Sequence, residues 1–262
     1  MPLQVDSISS PPPFAALSRW LASPAGRYVM AWEAEHFDLM VADLFGYHAV
    51  QVGLGGVDLL RNNRIPVRVR CDSGGSGDVR TLLAEPEFLP FEANSVDLLL
   101  LPHVLEFAAL PHQVLREVER VLVPEGRVIV SGFNPLSLWG VRRFAQRRNK
   151  HYPWEGQYLS VRRLKDWLKL LSFDVHGAHF GCYAPPLGQD KWLARCRFMD
   201  RIGKRWWPVC GGVYVLQAVK RVHGMRLIQP KWRTRAVRAK SLSTVAQKGP
   251  RVVNGFRKID EQ

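Results

Sequence analysis

A glycine cluster directly follows an apolar run in the segment VQVGLGGVDLL, residues 50–60. Gly53, Gly55 and Gly56 come after β-branched residues, and this order is typical of the start of a nucleotide-binding loop. Glycine has no side chain, so the backbone can approach a bound cofactor closely. Val57 stands where a third glycine of a G-x-G-x-G loop would lie. The same residues therefore also suit an ordinary tight turn.

Three polar residues come directly after other apolar runs, namely Asp72, His103 and Asn134. An aspartate in this position can bind ribose hydroxyls, a histidine can accept a proton, and an asparagine can contribute to a substrate pocket. Each residue also has a structural alternative. Asp72 precedes a Ser-Gly-Gly turn, His103 can be a packing residue or a cofactor contact, and Asn-Pro is an ordinary turn dipeptide.

Helix and strand patterns alternate along the chain and would position these residues. Apolar residues recur every three and four positions over residues 14–45, and Pro24 interrupts them, so two helices are predicted there. The continuous apolar run at 95–102 is typical of a parallel strand buried on both faces. Six further strands are predicted at 47–52, 66–71, 78–84, 127–133, 173–180 and 213–221, and two further helices at 111–122 and 160–171.

This alternation predicts an α/β fold, a Rossmann-like, doubly wound mixed sheet of about seven strands. Ligands of such sheets bind beyond the carboxyl ends of the strands. The first half of the sheet is abbreviated. About a dozen residues separate Gly53 from the strand at Pro66, which leaves the first helix at most about two turns. The sequence Pro124-Glu125-Gly126 is expected to end the helix that precedes the fifth strand.

Four parts are predicted along the chain, and the net charge differs between its two halves. Residues 1–140 carry a net charge of −6 and residues 141–262 a net charge of +20, within a total of +14. Such asymmetry indicates a polyanion near the second half, or a solvated tail that aids solubility. The parts are a disordered amino terminus over 1–13, helices that form a lid over 14–45, a core domain over 46–221 and a basic, disordered tail over 222–262.

The four cysteines are scattered and form no Cys-x-x-Cys pair, so neither a metal site nor a disulfide framework is predicted. The amino terminus lacks the apolar core of a secretion signal. The longest apolar stretch is much shorter than a membrane span. The sequence therefore predicts a cytoplasmic protein without a transmembrane segment.

Residues 85–131 contain a dense series of short motifs, which are LPF, NSVD, HVLE, LRE and RVL followed by P-x-G. This series resembles the class I S-adenosylmethionine-dependent methyltransferases, particularly small-molecule C- and O-methyltransferases of quinone and biotin biosynthesis. The segment SGFNPLSLWGVRR, 131–143, further resembles a small bacterial branch of that superfamily, related to its type 11 methyltransferases. The resemblance covers roughly residues 45–220 and leaves the tail outside.

The resemblance implies S-adenosylmethionine as the cofactor. Glu85 would accept a hydrogen bond from the adenine amino group, although it also suits an exposed surface position. Gln51 stands where the family has an acid two residues before the first glycine. The implied cofactor-binding residues are Gln51, Gly53, Gly55, Gly56, Asp72, Glu85, Pro86, Leu101, Pro102 and His103.

The methyl acceptor is expected beyond the fifth strand, beneath the amino-terminal lid. Its predicted contacts are Phe133, Asn134, Tyr152 and Trp154, and His103 and Asn134 are the candidate catalytic residues. Methyl transfer needs alignment and a dry pocket more than elaborate acid–base chemistry. The absence of a Ser-His-Asp or metal constellation from the sequence fits this class.

Three other interpretations are consistent with the sequence. Gln51 and Val57 would also suit a catalytically degenerate relative that serves as a binding or scaffolding protein. Basic residues interleaved with Tyr152, Trp154 and Tyr158 would suit single-stranded RNA as the methylated partner, and a basic amphipathic helix would suit an anionic membrane. A basic surface around a small-molecule pocket is the preferred interpretation, with the acceptor itself unidentified.

Overall fold

The computed structural model describes residues 13–73, 81–145, 155–186, 188–221 and residue 249. The chain divides into two units, Met1–His223 and Gly224–Gln262, and the first unit contains the whole fold described below. Tyr152, Trp154, residues 1–12 and nearly all of the predicted tail lie outside the described residues.

Two helices open the described chain, as the apolar spacing predicts. They are α1, Pro13–Leu21, and α2, Pro24–Val41. Ser23 caps α2, since its hydroxyl accepts a hydrogen bond from the backbone amide of Gly26 at 3.2 Å. Pro24 occupies the first turn of α2, where its missing N–H costs nothing.

A single seven-stranded sheet forms the centre of the described chain. Its order is β3-β2-β1-β4-β5-β7-β6, with β7 antiparallel to both neighbours and the other strand pairs parallel. This confirms the predicted mixed, doubly wound sheet. The strands are β1 His48–Val52, β2 Val67–Asp72, β3 Thr81–Leu83, β4 Val96–Pro102, β5 Leu122–Phe133, β6 Phe173–Gly181 and β7 Val213–Lys220.

The remaining helices include two that the sequence predicts and four that it does not. The predicted pair, α4 and α6, are the longer helices and carry a clear apolar stripe. The others have only four to nine residues, too few turns for a periodic signal. The six are α3 Val104–Phe107, α4 Pro111–Val121, α5 Leu138–Ala145, α6 Val161–Leu170, α7 Asp190–Cys196 and α8 Phe198–Trp206.

The two faces of the sheet are covered in different ways. On one face, α4 and α6 bury their apolar stripes against β1, β4 and β5. On the other face, α2 packs Phe37 and Val41 onto Leu98 and Leu100 of β4. The stretch from Gly53 to Pro66 contains turns and no helix. The amino-terminal helix α2 thus covers sheet surface that a first crossover helix would otherwise cover.

One boundary differs from the sequence-based expectation. The sequence Pro124-Glu125-Gly126 does not separate a helix from a strand but lies within β5. The pairing register of β4 and β5 shifts there, and Glu125 takes the left-handed conformation, with φ of 64°. A bulge accommodates the proline and the turn-forming residues without ending the strand.

Candidate functional site

The glycine loop after β1 is held from beneath by the side chain of Gln51, which is fully buried. Its Nε2 lies within 2.7–3.2 Å of the carbonyl oxygens of Gly53, Leu54 and Val57, to which it donates hydrogen bonds. Its Oε1 accepts a hydrogen bond from the backbone amide of Leu59 at 3.0 Å. One side chain therefore satisfies four backbone groups of the loop.

Gln51 consequently has a different role from the one the resemblance implies. Both ends of its amide are engaged by the protein's own backbone, so it presents no free group to a cofactor. A glutamate here, as in the family pattern, would face three carbonyl oxygens without a proton to donate. Gln51 is a positioning residue of the loop, and we do not retain it as a direct cofactor ligand.

The loop and the end of β2 meet, as the topology predicts. Gly53 has φ of 80°, a conformation that favours glycine. The backbone amide of Gly55 donates to Oδ2 of Asp72 at 3.3 Å, and Asp72 is only 4% exposed. Gly56 is exposed, and a side chain there would meet no atom within 4 Å. The space around Gly56 would therefore accommodate a side chain.

Glu85 and Pro86 lie on the connection between β3 and β4. Glu85 is exposed and forms an isolated antiparallel bridge with Phe88, whereas Pro86 is buried. The side chain of Glu85 is thus available to a ligand at the sheet edge. On β4, Leu101 and Pro102 are buried beside the loop that carries His103.

Helix α1 covers the glycine loop. Leu54 of the loop takes φ of 50° and is 1% exposed, packed against Leu17 and Leu21 of α1. Phe107 and Trp20 add partly buried contacts to this cluster. A molecule that reaches the loop from the α1 side must therefore displace α1.

His103 lies between two buried carboxylates. Its Nδ1 is 2.8 Å from Oε2 of Glu106, and its Nε2 is 3.0 Å from Oε1 of Glu33 on α2. The second contact has the distance of an ion pair without the alignment of a hydrogen bond. The other oxygen of Glu106 accepts a hydrogen bond from the backbone amide of Phe133. These contacts tie α2, the β4–α3 turn and the end of β5 together.

The electrostatics of this triad determine the protonation of His103. Burial lowers the pKa of the imidazole, but Glu33 and Glu106 raise it more strongly, to about 10. Burial raises the pKa of Glu106, and the neighbouring His103 opposes that rise. At neutral pH His103 is therefore an imidazolium, which donates hydrogen bonds and has no lone pair for a proton. This finding opposes a general-base role for His103.

An aromatic cluster surrounds Phe133 at the end of β5. The Phe133 ring stacks on Tyr158 and Trp139, with centroids 5.1 and 5.7 Å away, and Trp20 of α1 meets it edge-on at 5.7 Å. The His103 ring lies 4.4 Å from Phe133. The predicted acceptor residue Phe133 therefore adjoins the histidine triad, and the cluster brings α1 to the same place.

The side chain of Asn134 holds two backbone segments together. Its Nδ2 donates to the carbonyl oxygens of Val209 and Gly211 at 2.8 and 2.9 Å, and its Oδ1 accepts from the amide of Leu136 at 3.1 Å. These bonds use both N–H groups and join the turn after β5 to the segment before β7. Because the amide is fully engaged, we do not retain Asn134 as a candidate catalytic residue.

Sequence reasoning missed Glu33, Glu106 and Trp139. Glu33 lies in the buried stripe of α2 together with Val29 and Phe37 at spacings of four. A charged residue in an apolar stripe is the signal that could have identified it. Glu106 lies one turn after His103, a spacing that predicts contact in a helix. Trp139 had no such signal.

The polar groups near the carboxyl ends of the strands fit S-adenosylmethionine. A buried carboxylate, Asp72, adjoins the glycine turn and suits ribose hydroxyls. Several buried polar atoms have no hydrogen-bond partner among the described residues, and a bound polar molecule could satisfy them. They include the hydroxyls of Ser131 and Tyr158 and the second oxygen of Glu33.

Comparison with known proteins gives three results. The family "Methyltransferase domain" matches residues 54–130, from the glycine loop to β5. The uncharacterised protein YafS of Escherichia coli K12 is 33% identical over 138 residues, which is 52% of this chain and 57% of YafS. The uncharacterised protein MJ1123 of Methanocaldococcus jannaschii is 28% identical over 95 residues, 36% of this chain and 46% of its own. The chain spans about half the length of these curated relatives.

Solved structures share the fold. A chain of the complex between the Haloferax volcanii Trm112 methyltransferase activator and a putative methyltransferase aligns with a TM-score of 0.58 and 18% identity, over 82% of this chain and 99% of its own. A possible histamine N-methyltransferase of Thermotoga maritima aligns with a TM-score of 0.55 and 16% identity, over 79% and 100%. Residues 54–130 thus match the methyltransferase-domain family, and the chain shares the fold of these solved methyltransferase structures.

Proposed function

We propose that this protein transfers the methyl group of S-adenosylmethionine to a small-molecule acceptor. The observation that carries the proposal is the convergence of three features at the carboxyl ends of neighbouring strands. These are the Gly53–Gly55 turn after β1, the buried Asp72 carboxylate on β2 and the His103 turn after β4. Doubly wound sheets bind their ligands at this edge.

The chain's residues would serve this reaction by positioning. The cofactor supplies an electrophilic methyl group. Asp72 would accept hydrogen bonds from ribose hydroxyls, Glu85 would accept one from the adenine amino group, and Leu101 and Pro102 would line the crevice. His103, as an imidazolium, would act as a fixed hydrogen-bond donor and would hold α2 and α3 together through Glu33 and Glu106. Proximity and alignment would then provide most of the acceleration.

Of the two predicted lid helices, α1 would act as the movable lid, because α2 is packed onto β4. Leu17 and Leu21 cover Leu54 of the glycine loop, so α1 must move for the cofactor to enter. Its return would bring Trp20 back against Phe133. A closed lid excludes water from the reacting groups, and this favours transfer to the acceptor over side reactions.

The acceptor would lie against the aromatic cluster beyond β5. Phe133 offers a ring, and the buried hydroxyl of Tyr158 has no partner among the described residues, so a polar group of the acceptor could bind it. Tyr152 and Trp154 belong to the preceding segment and remain proposed contacts. Burial raises the pKa of Tyr158 well above its usual value, so its phenol stays protonated and would donate a hydrogen bond to the acceptor.

A labelled methyl group tests this function. The full chain is incubated with [methyl-³H]S-adenosylmethionine and a cytoplasmic extract, and the products are separated into low-mass, protein and RNA fractions. We expect label in the low-mass fraction with the wild type. Asp72→Asn should lose it, and the matched control Asp174→Asn, on an exposed residue of β6, should keep it.

Two results would contradict the proposal. Label in RNA alone would support an RNA-directed enzyme. Absence of transfer to every fraction, by a chain that binds the cofactor, would support a catalytically degenerate scaffold.

A further inference from the structure

A large apolar surface is exposed on α5, α8 and the turns beside them. Six of its side chains are between 59% and 77% exposed, and each is aliphatic or aromatic. Contiguous apolar surface of this kind is uncommon on soluble monomers and indicates a binding partner. The six residues are Leu136, Val141, Phe144, Phe198, Trp206 and Trp207. We refer to them as the α5–α8 surface.

Helix α8 separates its residues into three faces. Gly203 points to the protein body, where a side chain would lie 2.3 Å from the Tyr183 ring. Phe198, Ile202 and Trp206 follow at spacings of four, so they form one apolar stripe. At 100° per residue, Arg201, Lys204 and Arg205 lie on the adjoining arc. The helix therefore presents an apolar stripe beside a basic one.

A groove runs between α5 and α8 and continues the apolar stripe. Its volume is about 880 Å³, and its walls include Leu138 and Val141 of α5 and Ile202 and Met199 of α8. Pro135, directly after Asn134, also lines it. The groove thus adjoins both the turn that follows β5 and the apolar surface.

The charge around this surface is positive. Residues 190–210 contain six basic and two acidic side chains. Both acidic residues are engaged within the protein. Asp190 pairs with Arg27 at 2.9 Å, and Asp200 accepts hydrogen bonds from Tyr28 at 2.6 Å and from the amide of Tyr183 at 2.9 Å. None of the basic residues on α8 forms an ion pair with a carboxylate in the described part of the chain.

We propose that the α5–α8 surface binds the surface of an anionic phospholipid bilayer. Basic side chains would meet the phosphate headgroups while the apolar stripe and the tryptophans enter the headgroup–acyl boundary. The aliphatic members Leu136 and Val141, and the neighbouring Ile202, suit acyl chains but offer no ring on which an RNA base could stack. A second copy placed symmetrically on this surface would oppose the two basic arcs, which disfavours a dimer.

Vesicle binding tests the proposal and needs no cofactor. The full chain is sedimented with vesicles of phosphatidylcholine containing about 30% phosphatidylserine, and with pure phosphatidylcholine vesicles, at increasing salt. We expect binding to the anionic vesicles that weakens with salt, and little binding to the neutral ones. Each basic residue at an anionic surface contributes about a fivefold change in affinity.

Matched variants distinguish binding through this surface from a general effect of the protein's net charge. Replacement of the three basic residues of α8 by glutamine, R201Q/K204Q/R205Q, should weaken binding by about 100-fold. The control R162Q/K165Q/K169Q removes the same charge from α6, a helix on another part of the fold, and should change it by less than about threefold. Every variant retains the basic tail.

A second pair of variants tests the apolar contribution. W206A/W207A should weaken binding at least about tenfold, since each exposed ring loses its buried area in the bilayer. The control F45A/Y47A removes two equally exposed rings near the amino ends of the strands and should bind as the wild type does. Equal losses in the α6 and α8 variants, or anionic vesicles that do not bind the chain, would overturn the proposal. So would a concentration-dependent dimer that W206A/W207A disperses.

Discussion

Replacement of His103 by asparagine tests the buried triad most sharply. Asparagine tolerates the left-handed backbone, which His103 adopts with φ of 54°, so the backbone itself is not strained by the change. The variant removes a cation that lies 2.8 and 3.0 Å from two carboxylates, both at most 2% exposed. Glu33 and Glu106 then remain buried without a counter-charge.

The expected cost follows from that loss of charge compensation. Removal of one partner from a buried ion pair costs about 3–5 kcal/mol. In a chain of this size, this lowers the Tm by about 6–20 °C. Urea unfolding at pH 7, followed by tryptophan fluorescence, measures the free energy. The control is His176→Asn, since His176 is 48% exposed and lies 4.0 Å from Asp174. It should cost less than about 1 kcal/mol.

The pH dependence gives an independent check of the same triad. The pKa of His103 is raised to about 10 in the folded protein, from about 6.5 in the unfolded chain. Its stabilising contribution is therefore full below about pH 6.5 and is lost as the pH rises through about 10. The stability of the His103→Asn variant should therefore not show this decrease between neutral and alkaline pH. A variant within about 1 kcal/mol of the wild type at pH 7, or with an unchanged pH profile, would refute the charge assignment.

Two further substitutions test the loop and the sheet. Gln51→Glu should destabilise the protein by at least about 2 kcal/mol in urea unfolding, because three loop carbonyls lose their donor and face a carboxylate; an unchanged midpoint would contradict the role given to Gln51. Gly132→Ala places a methyl group 2.8 Å from the Tyr214 hydroxyl and should cost about 1–3 kcal/mol. Gly177→Ala meets no atom within 4 Å and is its control, so equal costs would count against the packing argument.

Much of the fold follows from the sequence, since continuous apolar runs predict buried parallel strands. β4 is such a run, and the topology then brings Asp72 to the glycine loop. Short helices were not predictable in this way, because α7 spans only seven residues. The strand through Pro124 was also missed, since a bulge depends on pairing with a distant strand rather than on local preference.

The site was less predictable than the fold because its roles depend on partners distant in sequence. Gln51 resembles a weakened ligand until its bonds to the loop are seen. Asn134 resembles a substrate contact until its amide is found on residues 75 and 77 positions later. His103 is a potential base in isolation and an imidazolium between Glu33 and Glu106. Each correction comes from contacts that no local pattern encodes.

Calorimetric titration of the full chain with S-adenosylmethionine tests the central claim most directly. We predict saturable one-to-one binding with a dissociation constant on the order of micromolar, equivalent to about −8 kcal/mol. Asp72→Asn should weaken it at least about tenfold, as expected for the loss of a charged hydrogen-bond acceptor, while Asp174→Asn should leave it unchanged. The absence of heat at high micromolar protein and ligand, or equal affinities for both variants, would contradict the account of a cofactor site at the carboxyl ends of β1, β2 and β4.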